Sequence, residues 1–138
     1  MSRGRAGKVE LLLVEDDDEL RFAMTGCLSR AGYSVTLVAT GVDAVRAARA
    51  RRPDLMVIDL MLPDAGGLGV ATEIRRDPAL RAVPVLYTTG FDSPAVRERL
   101  APDPVLFKPF NTLQLLTSVR GVLADARPAE PARASEGL

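Results

Sequence analysis

The 138-residue chain has no histidine and no tryptophan, one cysteine, and only four Phe and two Tyr. The missing histidine removes the commonest general base, the commonest metal ligand and any phosphohistidine of the chain's own. A group transferred to this protein must therefore come from another molecule. The lone Cys27 cannot close an internal disulfide, and its helical spacing with Leu20, Met24 and Leu28 reads as a buried, inert thiol. Charge of one sign is also lacking: eighteen Lys and Arg balance eighteen Asp and Glu. No broad field is available to grip nucleic acid or an anionic membrane, so no direct nucleic-acid binding is expected and any partner must be recognised locally. Nowhere do about 18 apolar residues run consecutively, and the basic start with Arg3, Arg5 and Lys8 has no apolar core of signal-peptide length. These absences predict a soluble, cytoplasmic protein without membrane insertion.

With 47% hydrophobic residues the length suits one domain with a proper core. Short apolar runs alternate with stretches of helical period, the pattern of a parallel α/β sheet. Strands are predicted over 9–14, 34–39, 55–58, 83–88 and 105–107. The first, third and fourth are nearly all apolar, as strands covered on both faces should be, which leaves the second and fifth nearer the edges. Helices are predicted over 18–31, closed by Gly32; 42–51, stopped before Pro53; 68–76, stopped before Pro78; 93–100; and 112–124, capped by Asn111 or Thr112. In the last, Leu113, Leu116 and Val119, with Val122 or Leu123, form one apolar stripe. Beyond it, two prolines and scattered charge without periodicity predict a disordered tail over 125–138. The expected organisation is a flexible N-terminus over 1–8, a folded domain over 9–124, and that tail.

In open parallel sheets ligands bind beyond the carboxyl ends of the strands. The first run delivers Glu15, Asp16 and Asp17; the third, Asp59; the fourth, Thr88 and Thr89; the fifth, Lys108 and Pro109. Acid, hydroxyl and amine thus share one rim. Taken singly these signals are weak, because acids at a helix start commonly cap it and favour its dipole, a part Asp17 or Asp18 can play. Asp59 is harder to explain so, because a carboxylate ending the run Leu-Met-Val-Ile is desolvated unless it has partners. Mg²⁺ is the natural partner, since it takes oxygen ligands and keeps several waters; Asp16, Asp59 and the carbonyl of Met61 can supply the protein's share. Asp59 is then the candidate nucleophile toward phosphorus, with Lys108 and the Thr89 hydroxyl meeting the remaining phosphoryl oxygens.

These residues resemble the receiver domain of bacterial two-component response regulators over nearly the whole folded part. The motifs are LLLVEDD with the acidic pair Glu15 and Asp16, PDLMVIDLMLPDAGGLG with Asp59, PVLYTTG with Thr89, and LFKPF with Lys108. The resemblance implies a flavodoxin-like, doubly wound five-stranded parallel sheet in order 2-1-3-4-5 with five helices. It implies Asp59 as phosphoacceptor, a metal site of Glu15, Asp16, Asp59 and Met61, and catalytic parts for Thr89 and Lys108. It further implies a cis bond before Pro109, Gly67 as a turn glycine needing positive φ, and Gly90 as the small residue leaving room for the phosphoryl group. The implied partners are a histidine kinase or histidine phosphotransfer protein and an unidentified downstream protein. The chain would catalyse its own phosphorylation and dephosphorylation without being an enzyme for a separate substrate. Three features depart from the family: Val105 replaces a usual aromatic, Gly66 a common polar residue, and the stretch from Thr89 to Lys108 is short. They resemble receivers attached to hybrid histidine kinases.

Three other classes fit less well. A haloacid dehalogenase-type hydrolase needs a second acid two residues after its nucleophile, where this chain has Met61. A pure interaction module would not need the complete set of acids, hydroxyl and lysine. Nucleotide binding lacks both GxxxxGK[ST] and a G-x-G-x-x-G after a strand.

Overall fold

The computed structural model describes residues 7–64 and 66–126. Strands and helices alternate as β1 (Glu10–Val14), α1 (Asp18–Arg30), β2 (Ser34–Val38), α2 (Gly41–Ala50), β3 (Leu55–Asp59), α3 (Gly66–Arg76), β4 (Val85–Thr89), α4 (Pro94–Leu100), β5 (Val105–Phe107) and α5 (Thr112–Ala126). All pairings are parallel, in the order β2-β1-β3-β4-β5. Every residue of β1, β3 and β4 is buried, whereas β2 and β5 are the partly exposed edges. The expected five-stranded, five-helix architecture is the one observed.

Period-two alternation divides the core in two. Leu12, Val14, Met56 and Ile58 point to the face covered by α2, α3 and α4, where Ala44, Val70 and Ile74 meet them. Leu11, Leu13, Leu55 and Val57 point to the opposite face, against Met24 and Leu28 of α1 and Leu115 and Val119 of α5. Cys27 was expected to be buried; it is half-buried beside that second cluster, its Sγ 3.2 Å from the Thr112 hydroxyl oxygen.

Local chemistry sets the helix ends. Asp17 caps α1 by accepting from the Leu20 N–H. The far end of α1 closes as a Schellman motif, with Tyr33 N–H on the Leu28 carbonyl and Gly32 N–H on that of Ser29. Asn111 and Gln114 exchange side-chain bonds with each other's backbone N–H, both at 2.8 Å, a reciprocal cap for α5. Helix α5 also runs through Asp125 and Ala126, two residues that the loss of apolar period had assigned to the tail. Helical backbone bonds do not need an apolar side chain at every turn, so periodicity underestimates this end. The rest of the expected tail and most of the expected N-terminal segment lie outside the described residues. Among the described residues, no helix is long and apolar enough to cross a membrane.

The glycine pair that opens α3 behaves differently from expectation. Positive φ belongs to Gly66, at 71°, and not to Gly67. Gly67 is required for close approach instead: a Cβ there would stand 2.6 Å from the Asp59 carbonyl oxygen and 2.9 Å from Leu60 Cα. Backbone cannot yield as a flexible side chain would, so Gly67→Ala should lower the unfolding free energy by about 1–3 kcal/mol in urea denaturation. A Cβ on Gly90 would meet nothing within 4 Å. Gly90→Ala should therefore cost much less in the same measurement, and equal losses would refute the steric account.

Candidate functional site

The carboxyl ends of β1, β3, β4 and β5 form one rim, and each contributes a polar group there. Glu15 directly follows β1; its N–H donates to the Val38 carbonyl at 3.1 Å, and its side chain is 1% exposed. Asp59 is the last residue of β3, with a side chain 4% exposed. Carboxylate oxygens of Glu15, Asp16 and Asp59 all lie within 4.8 Å of one another. Asp16 is the exposed member of the three. Asp17, next in sequence, is committed to capping α1, so the capping and clustering roles fall on different residues of the acidic run.

Lys108 follows β5, and its N–H donates to the Thr89 carbonyl at 2.8 Å, which carries the β4–β5 pairing onto the rim. Its Nζ lies 3.2 Å from Glu15 Oε1 and 3.4 Å from Asp59 Oδ2. Both remaining oxygens have backbone donors: Glu15 Oε2 accepts from Asp17 N–H at 3.1 Å, and Asp59 Oδ1 from Met61 N–H at 3.0 Å. Met61 itself turns its side chain outward. Thr89 is fully buried, and its hydroxyl oxygen accepts from Phe91 N–H at 3.1 Å. The Lys108-Pro109 bond is cis, and the space beside Gly90 is open.

The electrostatics follow from this packing. Burial raises the Glu15 pKa and the Asp59 charge adds to it, against the Asp17 N–H and Lys108. Burial works against a charged Lys108, but the two carboxylates outweigh it and its pKa rises. Three carboxylates face one ammonium, an unbalanced cluster in a mostly desolvated place. An all-oxygen donor set with excess negative charge fits a hard divalent cation such as Mg²⁺.

Two supports of the rim were not legible in the sequence. Arg21 of α1 donates to the Glu15 carbonyl at 2.9 Å while pairing with Asp18 at 2.6 Å. Asp64 accepts from the N–H groups of Gly41 and Val42, at 2.9 and 3.1 Å, and so ties the loop after β3 to the start of α2. The first has a faint signal in the three-residue spacing of Asp18 and Arg21. The second joins residues more than twenty positions apart and has none.

A family model for the response regulator receiver domain matches residues 11–120. Response regulator MprA of Mycobacterium tuberculosis is 36% identical over 129 residues, covering 90% of this chain and 54% of that protein. Transcriptional regulatory protein GltR of Pseudomonas aeruginosa is 34% identical over 120 residues, covering 85% of this chain and 50% of that protein. The chain thus spans about half the length of the curated relatives it matches. Among solved structures, the receiver domain of the P. aeruginosa sensor histidine kinase PA1611, with a magnesium ion in its active-site cleft, superposes with a TM-score of 0.78. It is 32% identical, and the match covers 85% of this chain and 98% of that one. Chemotaxis response regulator CheY4 of Vibrio cholerae gives a TM-score of 0.78 at 27% identity, covering 83% and 98%. Sheet order, rim and family match agree: the chain belongs to the response regulator receiver domains, the phosphoacceptor modules of two-component signalling.

Proposed function

We propose that Asp59 accepts a phosphoryl group from a histidine kinase or histidine phosphotransfer protein, and that the change is read by a downstream protein in the cytoplasm. The observation carrying this reading is the convergence of three carboxylates within 4.8 Å, two of them contacted by the Lys108 ammonium. Glu15, Asp16, Asp59 and the carbonyl of Met61 would hold Mg²⁺. When bound, the ion would screen the repulsion between the Asp59 carboxylate and the incoming phosphoryl oxygens.

The chain's own residues do the rest. The Met61 N–H and Lys108 orient Asp59, so that its carboxylate is presented in a fixed position at the strand end. An Asp59 oxygen bonds to phosphorus as the donor's P–N bond breaks, and the departing imidazole nitrogen keeps the electron pair. Lys108 stands where negative charge on the transferred group needs neutralising, and the Thr89 hydroxyl provides a hydrogen bond to a further oxygen. Pro109 holds the turn after Lys108, Gly67 lets α3 approach the Asp59 backbone, and Gly90 leaves the mouth open. The chain would promote both formation and hydrolysis of its own acyl phosphate. Met61, in place of a second acid, offers no general acid for turnover of a separate phosphate ester.

Incubation with acetyl phosphate and Mg²⁺, followed by mass spectrometry, should place one phosphoryl group on Asp59. Asp59→Asn or EDTA should abolish the labelling, and undiminished labelling in either case would sink the assignment.

Metal binding and transfer should separate by mutation. Asp16→Asn should weaken Mg²⁺ binding by roughly tenfold or more in a titration, because it removes a member of the oxygen cluster. Lys108→Ala should largely keep Mg²⁺ affinity but slow labelling by roughly 100- to 1,000-fold, the scale seen when a charge-stabilising donor is lost. Equal loss of Mg²⁺ in both variants would show the roles to be wrongly divided.

A further inference from the structure

Arg21 of α1 is the least exposed of the ion-paired arginines among the described residues, at 20% against 74% for Arg46, which makes the same three-residue pairing on α2. The difference has a cause. Arg46 pairs with Asp43 of its own helix, whereas Arg21 reaches past Asp18 to the backbone that precedes α1. Its Nη2 lies 2.6 Å from Asp18 Oδ1, and its Nη1 donates to the Glu15 carbonyl at 2.9 Å. One planar guanidinium thus joins the first residue of the helix to the residue that directly follows β1, a span that suits a rigid fork of donors and not the point charge of a lysine. The backbone of Arg21 is itself held: its N–H donates to the Asp17 carbonyl at 2.8 Å, and its carbonyl accepts from the Thr25 hydroxyl at 2.7 Å.

The carbonyl that Arg21 holds belongs to the peptide between Glu15 and Asp16. A peptide unit is planar, so fixing that oxygen fixes the plane from which the Asp16 backbone departs. Glu15 is tied on its other sides as well: its N–H donates to the Val38 carbonyl, and its Oε2 accepts from the Asp17 N–H, both at 3.1 Å. Asp17 is tied by its cap, its carboxylate accepting from the Leu20 N–H at 2.9 Å. Asp16, the exposed member of the acid cluster, lies between these two fastened residues. Three carboxylates converge within 4.8 Å there, and repulsion among them favours a loop that swings Asp16 away into solvent. The Arg21 bond opposes that swing through the backbone. It falls on a carbonyl, so it leaves the three carboxylates free for a cation.

We infer that Arg21 is a positioning residue for the metal site: by holding the Glu15 carbonyl it keeps Asp16 within ligating reach of Glu15 and Asp59. This rests on the reading that those acids hold Mg²⁺. A loop ordered in advance loses little freedom on binding, so its order is felt as affinity. The expected sign is opposite to that of plain electrostatics. As a mere charge, Arg21 would repel a cation, and removing it would tighten Mg²⁺ binding. As a positioning residue, its removal weakens Mg²⁺ binding.

Calorimetric titration of the full chain with Mg²⁺ reads that sign directly. Arg21→Gln should weaken binding by roughly tenfold, and Arg21→Lys, which keeps the charge but loses the fork, by about three- to tenfold. Arg46→Gln, which removes the comparable ion pair from α2, should stay within about twofold of wild type. Labelling by acetyl phosphate over a range of Mg²⁺ concentrations separates affinity from transfer. The Mg²⁺ concentration for half-maximal labelling should rise in both Arg21 variants by the same factors, while the rate at saturating Mg²⁺ stays within about twofold of wild type. Without metal, amide hydrogen exchange at Asp17 should speed by roughly tenfold in Arg21→Gln, as expected for losing a hydrogen bond from a charged group, with β3 and β4 unaffected. Tighter or unchanged Mg²⁺ binding in Arg21→Gln, or an equal loss in Arg46→Gln, would overturn the inference. So would a labelling rate that stays low at saturating Mg²⁺. Wild type that binds no Mg²⁺ would refute the metal site on which the inference rests, and the metal-free exchange would then still show whether Arg21 holds the loop.

Discussion

The rest of this structure depends on one electrostatic problem: keeping Glu15 and Asp59, both nearly sealed from solvent, side by side as usable carboxylates. Burial pushes the Glu15 pKa up, and the neighbouring Asp59 charge adds to that pressure. The fold relieves it with a small number of fixed donors. Lys108 bridges both acids, while the N–H groups of Asp17 and Met61 take the other oxygens. Each donor is delivered by a different strand end, so the site exists only when β1, β3 and β5 are in register. The two-sided apolar sheet holds that register.

A parallel sheet suits this task because its strands all end on the same side. Helices on both faces seal the apolar run of each strand, and the polar residues that end or follow the runs are gathered on one rim. The change from apolar to acidic is abrupt for this reason: Val14 is fully buried and Asp16 is exposed, with only Glu15 between them. Gly67 extends the same logic to α3. Its missing side chain lets the helix start close to the Asp59 carbonyl, while the Met61 N–H in the loop between them reaches the Asp59 carboxylate.

What was legible in the sequence was what is local or periodic. Strand identity, the edge positions of β2 and β5, and the rim residues all follow from apolar runs and from what comes directly after them. Boundaries were less legible: β4 begins at Val85 rather than two residues earlier, because Pro84 cannot donate to the ladder. Positive φ, expected at Gly67, falls on Gly66, because adjacent glycines give no hint which takes positive φ and which faces another backbone. Cys27 was misjudged by spacing alone, since the start of α5 leaves its thiol against a hydroxyl at the edge of the core. The contacts of Asp64 with α2 and of Arg75 with Asp103 were invisible, because each joins segments whose proximity only the assembled sheet creates.

The short β5 gives the ion pair between Arg75 of α3 and Asp103, in the turn before β5, a physical rationale. With three residues and a small Val105 facing β4, the edge strand offers little bulk to fasten the turn before it. An apolar solution would have covered the open clefts beside Arg75 and fixed the turn in one place by packing. A bidentate ion pair open to solvent orients the turn instead and adds little to its stability.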